Sequence, residues 1–231
     1  MKLSRILSNQ NGISRRQANL LLAAGRVRID GEICQDGGLD ISRFREVCID
    51  LEVIQRAEPA YYLMLNKPAG YLSATEDPVH PTVLDLIEPA LRHHLHIGGR
   101  LDRASTGLLI LSSDGLWTRR LTEPRVKIPK VYRVTTAYPI CPDTADRFAE
   151  GIWFNYEQLR TSPARLEQLG SNEARLTIYE GRYHQVKRMF HAVGNRVISL
   201  HRERMGDLLL DPTLSFGGYR PLTAAEISSV N

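Results

Sequence analysis

Gly98-Gly99-Arg100-Leu101-Asp102-Arg103-Ala104-Ser105-Thr106-Gly107 leads directly into Leu108-Leu109-Ile110-Leu111. The apolar run reads as a strand near 107–112, and the segment before it sets one carboxylate between two arginines and two glycine hinges. Asp102 is thus displayed on a loop at the end of a rigid element, the usual place for a reactive group. With an ordinary pKa of about 3.9 it is ionised at neutral pH, and Arg100 and Arg103 would hold it so against burial. An ionised, positioned carboxylate serves as nucleophile or base. A turn aspartate in an ordinary ion pair has the same local pattern, so the rest of the chain must decide.

Outward from this stretch, further strands are expected near 60–66, 130–138, 174–179 and 196–202, and helices near 82–88, 115–122, 143–150 and 184–193. They do not alternate as regular strand-helix-strand units, so the class is α+β. Residues 1–58 form a separate small unit: a helix near 3–10, a helix from Arg15 to Ala24 capped by Ser14 and ended by Gly25, and a hairpin about Asp30-Gly31. Leu20, Leu21 and Leu22 supply the apolar contacts of the second helix. Glu58-Pro59 breaks the pattern, which places a second domain over 59–231.

Composition narrows the function. Of the 231 residues 42% are hydrophobic and 24% charged, ordinary for a globular protein, and no apolar stretch approaches the roughly 20 residues needed to span a bilayer. The N-terminal segment lacks the apolar core of a signal peptide, so a cytoplasmic, reducing location is expected. Cys34, Cys48 and Cys141 are widely spaced and suggest neither disulfides nor zinc, and His93, His94 and His96 lack a partner cluster; no metal is expected. No glycine-rich phosphate or dinucleotide motif occurs, and no cofactor is expected. Net charge is only +4, but Lys2, Arg5, Arg15, Arg16, Arg26 and Arg28 precede the first acid, and Arg182, Lys187, Arg188, Arg196, Arg202 and Arg204 stand against Glu203 alone. Two basic stretches point to the phosphates of nucleic acid.

Two resemblances sharpen this. Ser14-Arg15-Arg16, Gly25-Arg26-Val27 and Gly31 resemble the signature of ribosomal-protein-S-four-like RNA-binding domains, with Asp30 where those domains usually have Asn. Leu65-Asn66-Lys67-Pro68-Ala69-Gly70, Gly99-Arg100-Leu101-Asp102, Lys130-Val131-Tyr132 and Glu180-Gly181-Arg182-Tyr183-His184-Gln185-Val186-Lys187-Arg188-Met189 together resemble the pseudouridine synthases. His80-Pro81-Thr82-Val83 and Leu200-His201-Arg202-Glu203-Arg204 narrow the resemblance to the branch that carries an S-four-like domain and acts on small-subunit ribosomal RNA.

The resemblance implies a mixed, mainly antiparallel sheet with flanking helices and a central cleft, and isomerisation of a uridine in RNA to its C-glycoside. It makes Asp102 the essential aspartate, nucleophile at the anomeric carbon or base that yields a glycal, with Tyr132 stacked on the uracil and Lys187 paired with the carboxylate. Arg100, Arg103, Arg182, Val186 and Arg188 are expected to bind substrate, and Arg5, Arg15, Arg16 and Arg26 to bind RNA phosphates. The expected partner is ribosomal RNA of a partly assembled small subunit, and the chain is expected to act as a monomer. A sibling acting on large-subunit RNA would share the core motifs, and a non-catalytic assembly factor would use the same basic surfaces as a clamp.

Overall fold

The structure is a computed structural model that describes residues 1–230. It divides into two compact units, one ending at Ala60 and one beginning at Tyr61.

In the first unit the helix Arg15–Ala23 starts where Ser14 and Gln17 cap each other across its first turn. The Ser14 hydroxyl accepts from the Gln17 amide N–H at 3.3 Å, and the Gln17 side chain accepts from the Ser14 N–H at 2.8 Å. Ala18 and Leu22 face inward against Leu3, Ile6 and Leu7 of the helix Leu3–Ser8, whereas Leu20 points away and is 60% exposed. Of the three consecutive leucines only Leu22 is fully buried, because one helical face cannot hold three neighbours. Val27–Ile29 and Glu32–Ile33 are joined by the two-residue turn Asp30-Gly31, both residues at positive φ, which matches the twist of a tight hairpin. Val47–Ile49 and Glu52–Gln55 complete a four-stranded antiparallel sheet.

The second unit is built on one long sheet whose strands run in the order Arg165–Gly170, Glu173–Ile178, Lys130–Thr136, Val197–Met205, Thr106–Ser112, Tyr62–Lys67 and Tyr219–Pro221. Only Thr106–Ser112 and Val197–Met205 run parallel; every other neighbouring pair is antiparallel. Leu108 and Ile110 enter a core with Met64, Trp117 and Leu121 on one face, and Leu109 and Leu111 enter another with Leu63, Leu65, Val83 and Ile87 on the other. The apolar run is continuous because both faces are covered. Truncating Leu109 to Ala would cost about 2–5 kcal/mol, the lost burial together with the cavity left behind.

Two expectations change. The helix expected near 82–88 is a 3-10 turn, Val83–Leu86, capped by Asp85, whose carboxylate accepts from the Thr82 N–H at 2.7 Å. Pro89 forces Glu88 into an extended conformation, ψ 132°, and leaves too few residues for an α-helix. Arg165–Gly170 is an unforeseen edge strand: all its residues except Leu166 are exposed, so no alternation marks it in sequence. The helix Gln185–Ala192 places Val186, Met189 and Phe190 in a third core with Tyr132, Val134 and Leu176, the spacing of one helical face. No helix among the described residues is long and apolar enough to cross a membrane.

Candidate active site

Asp102 is held by its own loop and by the chain from Lys67 to Ser73. Its carbonyl accepts from the Ser105 N–H at 3.0 Å. The Ser73 hydroxyl donates to the Leu101 carbonyl at 2.8 Å and accepts from the Leu101 N–H at 3.0 Å. The Gly70 N–H donates to the Arg103 carbonyl at 2.8 Å, and the Arg103 side chain returns a bond to the Gly70 carbonyl at 3.1 Å. At Gly107, φ 102°, any Cβ would collide with the backbone of Arg202, so glycine permits the parallel strand to approach just behind the loop.

Beneath the loop lies Lys67, wholly buried, its ammonium donating to the carbonyls of Ser105 at 2.8 Å, Pro68 at 2.9 Å and Arg103 at 3.4 Å. Burial lowers its pKa to about 8; the Asp102 charge opposes that shift and Arg202 adds to it. Arg202 is itself 1% exposed. It donates through Nε to the Leu108 carbonyl at 2.8 Å and through Nη1 to the Arg100 carbonyl at 3.3 Å. Its guanidinium carbon lies 6.0 Å from the ring centre of Tyr132, and Nη2 has no partner among the described residues. A buried, charged donor left unpaired costs free energy, and active sites are where such costs persist.

The carboxylate meets its partners on the turn that opens the helix Gln185–Ala192. Lys187 Nζ is 3.0 Å from Asp102 Oδ2, and His184 Nε2 is 3.4 Å from Oδ1. His184 sits at φ 49°, a left-handed conformation that β-carbon sterics disfavour. The turn is fixed by buried Gln185, which accepts from the Arg182 N–H at 3.0 Å and donates to Glu180 at 2.8 Å. Tyr132 is 7% exposed on the adjoining strand. The Asp102 carboxylate therefore stands against Lys187 and His184 with the Lys67 charge near it, and its side chain keeps 27% of its surface open to solvent.

Asp102 and Lys187 thus come together, with His184 on the carboxylate and the Lys67 charge near it, while Tyr132 is joined to Arg202, whose charge in turn acts on Lys67. The other expected substrate residues flank these two segments, Arg100 and Arg103 beside Asp102 and Arg182, Val186 and Arg188 beside His184 and Lys187. Arg100 and Arg103 are exposed. Arg182 donates to Glu180 at 3.2 Å, and Arg188 donates to Glu157 at 2.6 Å while lying over the Phe154 ring at 3.8 Å. Val186 is 4% exposed and part of the core. The basic run from Arg182 to Arg204 is therefore a less open positive surface than its sequence implies: Arg202 is buried, Arg182, Lys187 and Arg188 have acidic partners, Arg204 pairs with Asp207 at 3.0 Å, and Arg196 is exposed. In the N-terminal unit Arg5, Arg15 and Arg16 are exposed, and Arg26 is paired with Asp50. No group of three metal-ligating side chains is found among the described residues.

Residues 61–192 match the RNA pseudouridylate synthase family, more than half of the chain and every residue described around Asp102 except Arg202. The chain belongs to that family. Like other RNA pseudouridylate synthases it is an enzyme that isomerises uridine in RNA. It is 53% identical over 230 residues to ribosomal small subunit pseudouridine synthase A of Pseudomonas aeruginosa, with 100% of each chain covered. It is 45% identical over 230 residues to the protein of the same name from Escherichia coli strain K12, again with 100% of each covered. A crystal structure of a pseudouridylate synthase superposes with a TM-score of 0.73 at 41% identity, covering 100% of both chains.

His184, Lys67 and Arg202 were missed as site residues for different reasons. His184 lies three residues from Lys187, so a helical face drawn backward from Lys187 reaches it. Lys67 and Arg202 carry no local signal; a cation in a strand is read as exposed until its buried carbonyl partners are known.

Proposed function

We propose that this pseudouridylate synthase modifies a single uridine of small-subunit ribosomal RNA and that Asp102 acts on its ribose. The carrying observation is the partly open Asp102 carboxylate with Lys187 at 3.0 Å on one oxygen and His184 at 3.4 Å on the other. The reaction breaks the bond between ribose C1′ and N1 of uracil, turns the ring, and joins C5 to C1′; the C5 proton leaves and N1 gains one. Attack by a carboxylate oxygen on C1′ and abstraction of the proton on C2′ both require a carboxylate that substrate can reach, and Asp102 keeps part of its side chain open to solvent. Tyr132 is the residue assigned to pack against the detached base, with its hydroxyl 3.5 Å from Arg202 Nη1 for proton transfer.

The target must be unpaired or flipped out of a helix, at a cost of a few kcal/mol. Phosphate contacts by the N-terminal unit offset it. That unit, an S-four-like domain on this reading, presents Lys2, Arg5, Ser8 and Arg15 along one groove formed by its two helices. Such contacts supply affinity without sequence information. The small-subunit assignment follows the names of the full-length relatives. Three unpaired cysteines accord with a reducing cytoplasm, and a monomer suffices because every residue of the constellation comes from one chain.

Release of tritium from C5-labelled uridine, in small-subunit and large-subunit ribosomal RNA, free and partly assembled, tests this reading. Release from small-subunit RNA by wild type and not by Asp102→Asn is the expected result. Release only from large-subunit RNA would move the substrate and keep the chemistry. Turnover by Asp102→Asn would remove Asp102 from its role.

A further inference from the structure

Tyr183 is 75% exposed, yet its ring is not loose: it stacks on the His184 imidazole with centres 3.9 Å apart and planes within 19°. That imidazole touches Asp102, with Nε2 3.4 Å from Oδ1. The backbone beneath is clamped from both sides, by Gln185 on the Arg182 N–H at 3.0 Å and by Arg188 donating to the Tyr183 carbonyl at 3.3 Å. An aromatic face is thus held open to solvent one ring thickness from the reacting carboxylate. Core packing does not explain an exposed tyrosine, and an ion pair does not either.

We infer that Tyr183 is a stacking platform for the nucleobase adjoining the target uridine. The inference rests on the proposed role of Asp102. When the target base leaves its stack to reach Asp102, its neighbour loses a stacking partner, and the outer face of Tyr183 replaces that partner at the mouth of the site. Arg182 at 36% side-chain exposure stands beside it for the connecting phosphate. Base-aromatic stacking tolerates any base, so the platform positions the strand and does not read its sequence.

The test uses an RNA fragment that the wild-type enzyme turns over, with 2-aminopurine replacing the nucleotide on each side of the target in turn. Complexes are formed on the Asp102→Asn background so that no turnover occurs. At one flank the fluorescence is expected to be quenched by the protein carrying Tyr183 and by Tyr183→Phe, and not by Tyr183→Leu. In the otherwise wild-type enzyme Tyr183→Leu is expected to lower kcat/KM about 5- to 150-fold, most of it in KM, and Tyr183→Phe to restore it. Equal fluorescence at both flanks for Tyr and Leu proteins overturns the inference, as does a loss confined to kcat, which would mean that Tyr183 acts only through His184. A small-subunit fragment that is not turned over speaks against the substrate assignment alone, and the same test then runs on the large-subunit fragment that is. Wild type inactive on every RNA removes the premise before any Tyr183 variant is made.

Discussion

Asp102 and Asp211 are both carboxylates facing cations, and they are arranged for opposite ends. Asp211 accepts from the Thr213 N–H at 2.9 Å, the Thr213 hydroxyl at 2.7 Å and Arg220 Nε at 2.7 Å. Arg220 also donates to both oxygens of Glu226, at 2.8 and 2.9 Å, and Glu226 caps the last helix through the Thr223 N–H at 2.7 Å. Every strong donor and acceptor there has a partner inside the chain, and hydrogen bonds hold Asp211 and Glu226 each at a pKa of about 2. Asp102 meets one ammonium and one imidazole, both as single contacts, and keeps acceptor capacity free. A carboxylate with all its bonds made stiffens a fold; one with bonds still to make can act on something that arrives.

The sharpest way to break this contrast is to remove each charge in turn. Asp102→Asn is expected to lower turnover by at least about 1,000-fold with thermal stability little changed, measured by tritium release and by a melting curve. A large fall in melting temperature would show that Asp102 is also a structural group. Lys67 comes next, because its cost is built into the site. Its folded pKa of about 8 lies below the ordinary 10.5, so between those values the folded protein binds fewer protons than the unfolded chain and stability rises with pH. The free-energy difference between wild type and Lys67→Met, from urea unfolding, is expected to move in favour of wild type by on the order of 3 kcal/mol from pH 7 to pH 10.5. A flat difference would mean that Lys67 keeps its ordinary pKa in the folded protein and that burial does not lower it.

Arg220 supplies the structural counterpart. Arg220→Gln leaves two carboxylates facing each other and is expected to destabilise by about 2 kcal/mol after allowance for partial exposure, lowering the melting temperature about 4–8 °C with turnover per folded molecule unchanged. In wild type, Glu226 at about 2 against an ordinary 4.5 contributes stability that is complete above pH 4.5 and is lost as pH falls toward 2. Arg220→Gln should flatten that acid limb. A variant that keeps its melting temperature and loses turnover would place Arg220 in the reaction.

The same distinction explains what could be read before any coordinates. Ser14 with Gln17, and Asp30 with Gly31, were legible because cap and turn chemistry is complete within four residues. Asp102 was legible as a displayed carboxylate, and Lys187 as its partner through the family resemblance. Arg202 was misleading: in sequence it belongs to a basic run, while its burial depends on the Leu108 carbonyl 94 residues away. The left-handed His184 and the orphaned Nη2 of Arg202 are set by tertiary packing and leave no trace in local pattern. Tyr219–Pro221 escaped notice because it is three residues long and lies at the sheet edge, where Pro is tolerated.

The smallest expected effect concerns cations that have nothing to bind within the chain. Arg15 and Arg16 are exposed at the start of their helix, unlike Arg220, and unlike Arg26, which Asp50 already holds. Exposed arginines with free donors act outward, and on RNA they displace condensed counterions. Arg15→Gln with Arg16→Gln is expected to reduce the slope of log affinity against log salt by about 1.4–1.8, with turnover at saturating RNA unaltered. Arg26→Gln should change that slope less, because its guanidinium must first leave Asp50. If Arg26→Gln shifts the slope by as much per charge as the double variant, the pairing seen at Arg26 does not survive contact with RNA, and whether a charge is free must be judged in the complex.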